Sequence, residues 1–182
     1  MIRSYISIIV ICTSFSLTLA QVSNTSFIND GGEKVLQLSI VLPIEKSETW
    51  NLFTTDSGLV KWIAPVAKIN LKTGGWIKTN YNPQKTLDDS TAIKLDIINF
   101  LKEEFLTLKV NLNDNFPRQA KQEDKNLQEV LQFIDLGNGH TKIISSMVGF
   151  GQGEHWDKTY AFFEKGNVWT FQQILNLFNK DH

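Results

Sequence analysis

The strongest constraint on the fold is one long helix pattern near the C-terminus, which follows a series of strand patterns. The segment Gly149–Asp157 ends the strands, and large residues then recur at spacings of three and four. Such spacing puts residues on one helix face. This stripe comprises Trp156, Tyr160, Phe163, Asn167, Phe171, Ile174 and Phe178. A single long helix and a sheet must cover each other's apolar faces, so we expect the sheet to curl around the helix and leave a cavity.

Short runs of alternating apolar and polar residues precede that helix and are typical of half-buried strands. Two short helices are predicted after the first strand, at 47–53 and 55–63. The fold class is therefore α+β, with a curved antiparallel sheet of six or seven strands around a helix from about Gln152 to Asn179. The predicted strands cover 36–42, 66–71, 75–81, 93–97, 106–110, 130–135 and 141–148.

The first twenty residues have the pattern of a secretory signal peptide. Arg3 gives a positive start, an apolar run follows from Ile6 to Leu19, and Ala20 provides a small residue for cleavage before Gln21. The apolar run is about 14 residues, shorter than the roughly 20 that a spanning helix needs. We therefore expect a periplasmic or secreted protein with no stable membrane insertion after cleavage.

Charge and composition of the mature chain restrict its partners. Removal of Arg3 leaves 17 basic against 19 acidic residues, a formal charge of −2, so no basic excess is available for nucleic acid. The same cleavage removes Cys12, the single cysteine, and only three histidines occur in the whole sequence. We expect no metal site, no cofactor and no nucleic-acid partner; a protein partner is not indicated either way.

Domain organisation is simple. After the signal peptide at 1–20, the polar, glycine-ended stretch 21–32 is predicted to be a disordered lead-in, and 33–182 forms one domain. Within the domain, the polar segment 112–126 interrupts the strand rhythm. A long irregular segment of this kind is typical of a flap over a binding site.

Several motifs, in this order and spacing, resemble one superfamily. They are Lys61-Trp62 at the end of the second helix, the hairpin Gly74-Gly75-Trp76, and the segment Gly149–Asp157. Together they resemble the SRPBCC (START-like, helix-grip) superfamily, and within it the branch named after the activator of heat-shock-protein-90 ATPase. The resemblance covers about Glu33 to Phe178. It implies the helix-grip fold, whose members include lipid and polyketide binders, cyclases and cochaperone domains, and fold alone does not choose among them.

The function predicted from these features is an exported module that binds a small hydrophobic molecule between the sheet and the C-terminal helix. The alternative is a pocket enzyme of cyclase or lyase type, and a cochaperone-like role is less compatible with export. No catalytic motif is present, although His155, Glu154 and Asp157 are acid–base groups close in sequence. The candidate ligand-binding residues are aromatic: Trp62, Trp76, Tyr81, Phe105, Phe116, Trp156, Tyr160 and Phe163.

Overall fold

The computed structural model describes residues 21–179; the predicted signal peptide lies outside them. The predicted strands and helices occur in the predicted order. The elements are β1 (Ser23–Asn24), β2 (Phe27–Ile28), β3 (Lys34–Leu42), α1 (Lys46–Thr54), α2 (Asp56–Leu59), β4 (Val66–Asn70), β5 (Trp76–Asn80), β6 (Ile93–Leu101), β7 (Phe105–Val110), α3 (Arg118–Glu123), β8 (Gln128–Gly137), β9 (His140–Val148) and α4 (Glu154–Asn176). The structure adds β1, β2 and α3; the second predicted helix, 55–63, is shorter than expected and covers Asp56–Leu59.

All strand pairs form one antiparallel sheet in the order β1-β3-β9-β8-β7-β6-β5-β4, with β2 also paired to β3. From β4 to β9 each strand pairs with the next one in the chain, and β3 joins this meander by pairing with β9. The sheet is curved but not closed, and α4 lies in its concave face. The predicted α+β helix-grip architecture is confirmed, with seven long strands and two very short ones.

The stretch 21–32 differs from the expectation of a disordered lead-in, because it contributes β1 and β2. Ser23 pairs with Ser39, and Phe27 pairs with Val35. Strand β3 would otherwise present an unpaired backbone edge, and the N-terminal stretch satisfies part of it.

Helices α1 and α2 close one end of the sheet with aromatic side chains. Trp50 packs edge-on against Phe133, with ring centroids 5.2 Å apart, and Phe53 packs against Trp62 at 4.6 Å. Trp62 also donates a hydrogen bond from Nε1 to the Leu52 carbonyl at 3.0 Å. These contacts fix the two helices against the strands that follow them.

Helix α4 is buried near its two ends and only half-buried in between. Trp156 and Thr159 are buried in its first turns, and Phe171, Ile174 and Leu175 in its last turns. No side chain from Tyr160 to Thr170 is fully buried. The middle of the helix therefore stands away from the sheet. No helix within residues 21–179 has the length and apolar character to cross a membrane.

Candidate ligand-binding cavity

A cavity of about 430 Å³ lies between the sheet and the half-buried part of α4. Inward-facing residues of five strands line its sheet side, among them Ile77, Leu95, Leu108, Leu131 and Met147. Helices α1 and α2 contribute Phe53 and Leu59, and the turn after α2 contributes Trp62. Seven residues of α4 complete the lining: Phe162, Phe163, Gly166, Asn167, Trp169, Thr170 and Phe171. The lining is mostly aliphatic and aromatic, so the cavity suits an apolar molecule.

Three aromatic side chains on the lining are also exposed to solvent. Phe162 is 54% exposed, Trp169 52% and Tyr81 45%. The rings of Tyr81 and Trp169 lie 6.4 Å apart, centroid to centroid. They therefore form an aromatic rim where the cavity opens to solvent.

Glu129 is a carboxylate on this mostly apolar lining. It lies on β8, opposite Leu108 of β7 and Met147 of β9, which also line the cavity. The Ser145 hydroxyl donates a hydrogen bond to Glu129 Oε1 at 2.6 Å. Burial raises the pKa of the Glu129 carboxyl above its ordinary value, and the hydrogen bond from Ser145 offsets part of that rise.

Sequence reasoning missed Glu129, although its position carries a signal. Leu131 and Phe133 of β8 and Leu127, the residue just before it, are all buried, and they alternate with less buried residues. The period of two places Glu129 on the same inward face. The predicted strand began only at Val130, because a charged residue on an apolar face interrupts the pattern.

Polar side chains of α4 and of the residue after β5 line the same cavity as Glu129. Asn167 Nδ2 donates to Met147 Sδ at 3.2 Å, and the Thr170 hydroxyl donates to the Gly166 carbonyl at 2.9 Å. Tyr81 follows β5 at the rim. Burial raises the pKa of its hydroxyl, the nearby Thr170 hydroxyl lowers it, and the charge of Glu129 raises it further.

Three of the eight predicted site residues line the cavity: Trp62, Tyr81 and Phe163. A fourth, Phe116, lies beside it. Its ring stacks on Phe163 at 5.1 Å and meets Phe162 edge-on at 4.8 Å. Asn115, its neighbour in the predicted flap, does line the cavity.

Two predicted residues, Trp76 and Phe105, lie on the outer face of the sheet. Their neighbours Ile77 and Leu106 are buried, and successive strand side chains point to opposite faces. The Lys78 ammonium lies 5.3 Å from the centre of a Trp76 ring, an outer-face cation–π contact. Neither residue reaches the ligand cavity.

The remaining two, Trp156 and Tyr160, lie on the first turns of α4, outside the cavity. Trp156 is 2% exposed and donates a hydrogen bond from Nε1 to Glu123 Oε2 at 2.9 Å. Tyr160 packs against Phe150, with ring centroids 5.0 Å apart, and against the Lys34 ammonium at 5.7 Å. These turns hold the helix against the preceding loop and α3.

His155 joins Trp156 at the same carboxylate. Its Nε2 lies 2.7 Å from Glu123 Oε2. Hydrogen bonds from His155, Gln119 and Trp156 hold the pKa of Glu123 at about 2. This group, Glu123 with His155 and Trp156, is named the α3–α4 latch because it ties the predicted flap to the long helix.

Residues 21–179 contain no group of three His, Cys, Asp or Glu side chains placed to hold a metal ion. The acid–base candidates of the sequence lie away from the cavity. Glu154 pairs with Lys158 at 2.8 Å, and Asp157 with Lys34. The acid–base groups on the cavity lining are therefore Glu129 and, at the rim, Tyr81.

Comparison with known proteins finds similarity in three-dimensional structure. No protein-family model matches the chain, and no curated protein matches its sequence. CalU16 from Micromonospora echinospora has a TM-score of 0.61 at 12% identity, over 90% of this chain and 85% of that one. DynU16, from the dynemicin biosynthetic locus, has a TM-score of 0.58 at 10% identity, over 80% of this chain and 47% of that one.

An HSP90 activator from Plasmodium falciparum is also similar, with a TM-score of 0.55 at 16% identity, over 79% of this chain and 92% of that one. The chain has the helix-grip fold. At these identities the likeness concerns the fold, and function must be argued from the cavity.

Proposed function

We propose that this protein is an exported binding module that holds a small, mostly apolar molecule in the cavity between the sheet and α4. The observation that carries the proposal is the cavity itself. Its volume, about 430 Å³, is within the range of small-molecule sites, and its lining is mostly aliphatic and aromatic. DynU16, a putative protein in the dynemicin biosynthetic locus, shares the fold that forms such a cavity.

Apolar burial sets the scale of affinity. A ligand that buries about 300 Å² of apolar surface gains roughly 7 kcal/mol, at about 25 cal/mol per Å². Loss of translational and rotational freedom subtracts several kcal/mol from this gain. Micromolar binding corresponds to about 8 kcal/mol, so a ligand of that affinity needs polar contacts as well.

Export is the second part of the proposal, and the N-terminal sequence pattern supports it. N-terminal sequencing of the native protein should begin near Gln21. Full-length protein in the soluble cytoplasmic fraction would argue against export. It would also strengthen a cochaperone-like role, the weaker candidate that the resemblance to the HSP90 activator branch suggests.

Native mass spectrometry of protein purified from its own host tests the binding function. We expect a bound mass that organic extraction removes, and quenching of tryptophan fluorescence when apolar naphthyl probes are added. Phe163→Ala should weaken probe binding, because Phe163 lines the cavity. Tyr160→Ala, one turn away on the same helix but outside the cavity, is the matched control and should not.

Absence of any bound mass, together with probe affinities no tighter than about millimolar, would contradict the proposal. Equal loss of binding in the Phe163 and Tyr160 variants would place the binding site elsewhere.

Glu129 favours a second candidate, a pocket enzyme of cyclase or lyase type. A carboxyl whose pKa is raised by burial inside a cavity is what a general acid requires. If the compound bound to the native protein is a product, Glu129→Gln protein from the same host should carry an unconverted precursor of different structure. The same compound in both proteins would favour binding without chemistry.

A further inference from the structure

Three polar side chains of the lining, Glu129, Asn167 and Thr170, leave hydrogen-bond acceptors free, whereas Thr79, Tyr81 and Asn115 can also donate. The Asn167 amide nitrogen donates to Met147 Sδ, so the amide oxygen Oδ1 remains available as an acceptor. The Thr170 hydroxyl donates its proton to the Gly166 carbonyl, so its oxygen remains available as an acceptor. Ser145 donates to Glu129 Oε1, and no donor within residues 21–179 pairs with Glu129 Oε2. A ligand that complements these atoms must donate hydrogen bonds.

The charge of the lining also favours a ligand that donates hydrogen bonds. Glu129 is the acidic side chain on the lining, and no Lys, Arg or His within residues 21–179 lines the cavity. An isolated carboxylate in apolar surroundings is unfavourable unless a cation or donor compensates it. The protein provides Ser145 alone, a neutral donor.

Aromatic side chains add a second feature that favours a cation. The lining includes Trp62, Trp169, Tyr81 and the phenylalanines 53, 162, 163 and 171. The faces of such rings attract an ammonium group, most strongly where water is excluded. A cavity whose lining carries both a carboxylate and several aromatic rings is a suitable environment for one positive charge on an apolar body.

We propose that the cavity selects ligands that carry a protonated amine on an apolar body, with Glu129 as the anionic contact. The inference rests on the proposed binding function and deepens it by naming the ligand class. The ammonium group donates to Glu129 Oε2, and Asn167 and Thr170 accept further hydrogen bonds where the ligand can reach them. The apolar body occupies the space between Leu95, Leu108 and Trp62.

The amine must meet Glu129 in its charged form. Burial raises the pKa of the Glu129 carboxyl and so favours its protonated form, whereas a bound ammonium group favours its charged form; amine binding therefore shifts Glu129 towards loss of its proton. Glu129 pairs across the sheet with Leu108 of β7 and Met147 of β9 and accepts from Ser145 of β9, while Asn167 and Thr170 of α4 line the same cavity. Tyr81 at the rim is the other titratable side chain on the lining, and it is neutral at neutral pH.

Three probes with one ring system and different polar groups test the inference: naphthylmethylamine, naphthylmethanol and naphthoate. At neutral pH we expect the wild-type protein to bind the amine at least about tenfold more tightly than the alcohol, and naphthoate most weakly. Glu129→Gln keeps the size of the side chain and removes its charge, so it should abolish the preference for the amine while binding of the alcohol is retained. Glu154→Gln, with the same change of charge on the exposed start of α4, is the control and should keep the preference.

Wild-type protein alone provides a second measurement. Its affinity for naphthylmethylamine should fall as the pH is lowered and Glu129 takes up a proton, whereas its affinity for naphthylmethanol should not. Calorimetry in two buffers of different ionisation enthalpy should show proton release with the amine only.

Equal affinity for amine and alcohol, or an amine preference that survives in Glu129→Gln, would overturn the inference and leave the binding function standing. Failure of all three probes to bind would overturn this inference, and together with the absence of a bound mass in native mass spectrometry it would overturn the binding function as well.

Discussion

Gly166 offers a direct test of whether the cavity is a binding site, because filling it should stabilise the protein and abolish binding. Gly166 lies in the middle of α4 and lines the cavity. A Cβ atom added there would meet no heavy atom within 4 Å. Gly166→Leu should therefore extend a side chain into empty space rather than collide with a neighbour.

Two contributions raise the stability of Gly166→Leu. Glycine within a helix is about 0.8–1.0 kcal/mol less favourable than alanine, and leucine is close to alanine. Burial of a leucine side chain adds up to about 1.5–3 kcal/mol, less where the cavity remains partly open. We expect about 2–3 kcal/mol in total. For a domain of this size, about 2–4 °C per kcal/mol converts this into a rise in Tm of about 4–12 °C.

Thermal unfolding followed by circular dichroism, combined with naphthyl-probe titration, separates the two contributions. Gly166→Ala should gain only the helix-propensity part, about 1 kcal/mol, and should still bind probes. Gly166→Leu should be more stable than Gly166→Ala and should not bind. Ala161→Leu adds the same side chain at an exposed position of α4, so we expect a change within about 0.5 kcal/mol and unaltered binding.

A fall in Tm for Gly166→Leu would mean that no space exists beside Gly166 and would refute the presence of the cavity there. A stabilised Gly166→Leu protein that binds probes as tightly as wild type would mean that ligands bind elsewhere.

The α3–α4 latch gives three further predictions. Glu123→Ala should speed hydrogen exchange in 113–126 while the sheet is unaffected, because α3 loses its contacts with His155 and Trp156. The pKa of Glu123 in the folded protein, about 2, lies below its ordinary value of 4.5. The latch therefore stabilises the folded protein fully above pH 4.5, and this stabilisation is lost as the pH falls towards 2. The indole N–H resonance of Trp156 should shift over that pH interval in the wild-type protein and should not shift in Glu123→Gln. Gly151→Ala should lower stability by about 1–3 kcal/mol, measured by denaturant unfolding, because its Cβ would collide with the buried Trp156 indole; unchanged stability would show that the ring moves freely.

The strands and their order could be predicted from the sequence because each strand has one buried face. In β3, Leu36, Leu38 and Ile40 are all about 1% exposed, and they alternate with less buried residues. A shift of one residue would expose all of them, so the pattern fixes the register. The short strands β1 and β2 have no such pattern. Their pairing depends on the free edge of β3, which the local sequence does not reveal.

The location of the cavity, between the sheet and the C-terminal helix, could be predicted from the sequence, but only some of its lining residues could. The helical stripe correctly includes Phe163 and Phe171, which line the cavity, but it also includes Trp156 and Tyr160, which do not. Periodicity identifies the apolar face of a helix, yet it does not say which turns contact the sheet and which contact a loop. The first turns of α4 pack against 149–153 and α3, so their aromatic residues are structural.

Glu129 shows why the polar part of a site is harder to predict than its apolar part. Alternation identifies inward positions by their hydrophobic residues, so a carboxylate at such a position is assigned to a loop or to the opposite face. Leu131 and Phe133 of the same strand, with Leu127 just before it, are nevertheless buried at the alternate positions of that face. Departures from an otherwise consistent pattern are expected where a chain carries function at some cost in stability.

Glu129 and Gly166 are two such departures on opposite sides of one cavity. A leucine at 129 would continue the apolar face of β8, and a larger residue at 166 would improve α4 and fill the space beside it. Each native residue is therefore less stabilising than a simple alternative, and each one preserves a property of the cavity: its volume at Gly166, its charge at Glu129. Packing alone favours neither residue, whereas a ligand with an apolar body and a hydrogen-bond-donating group accounts for both.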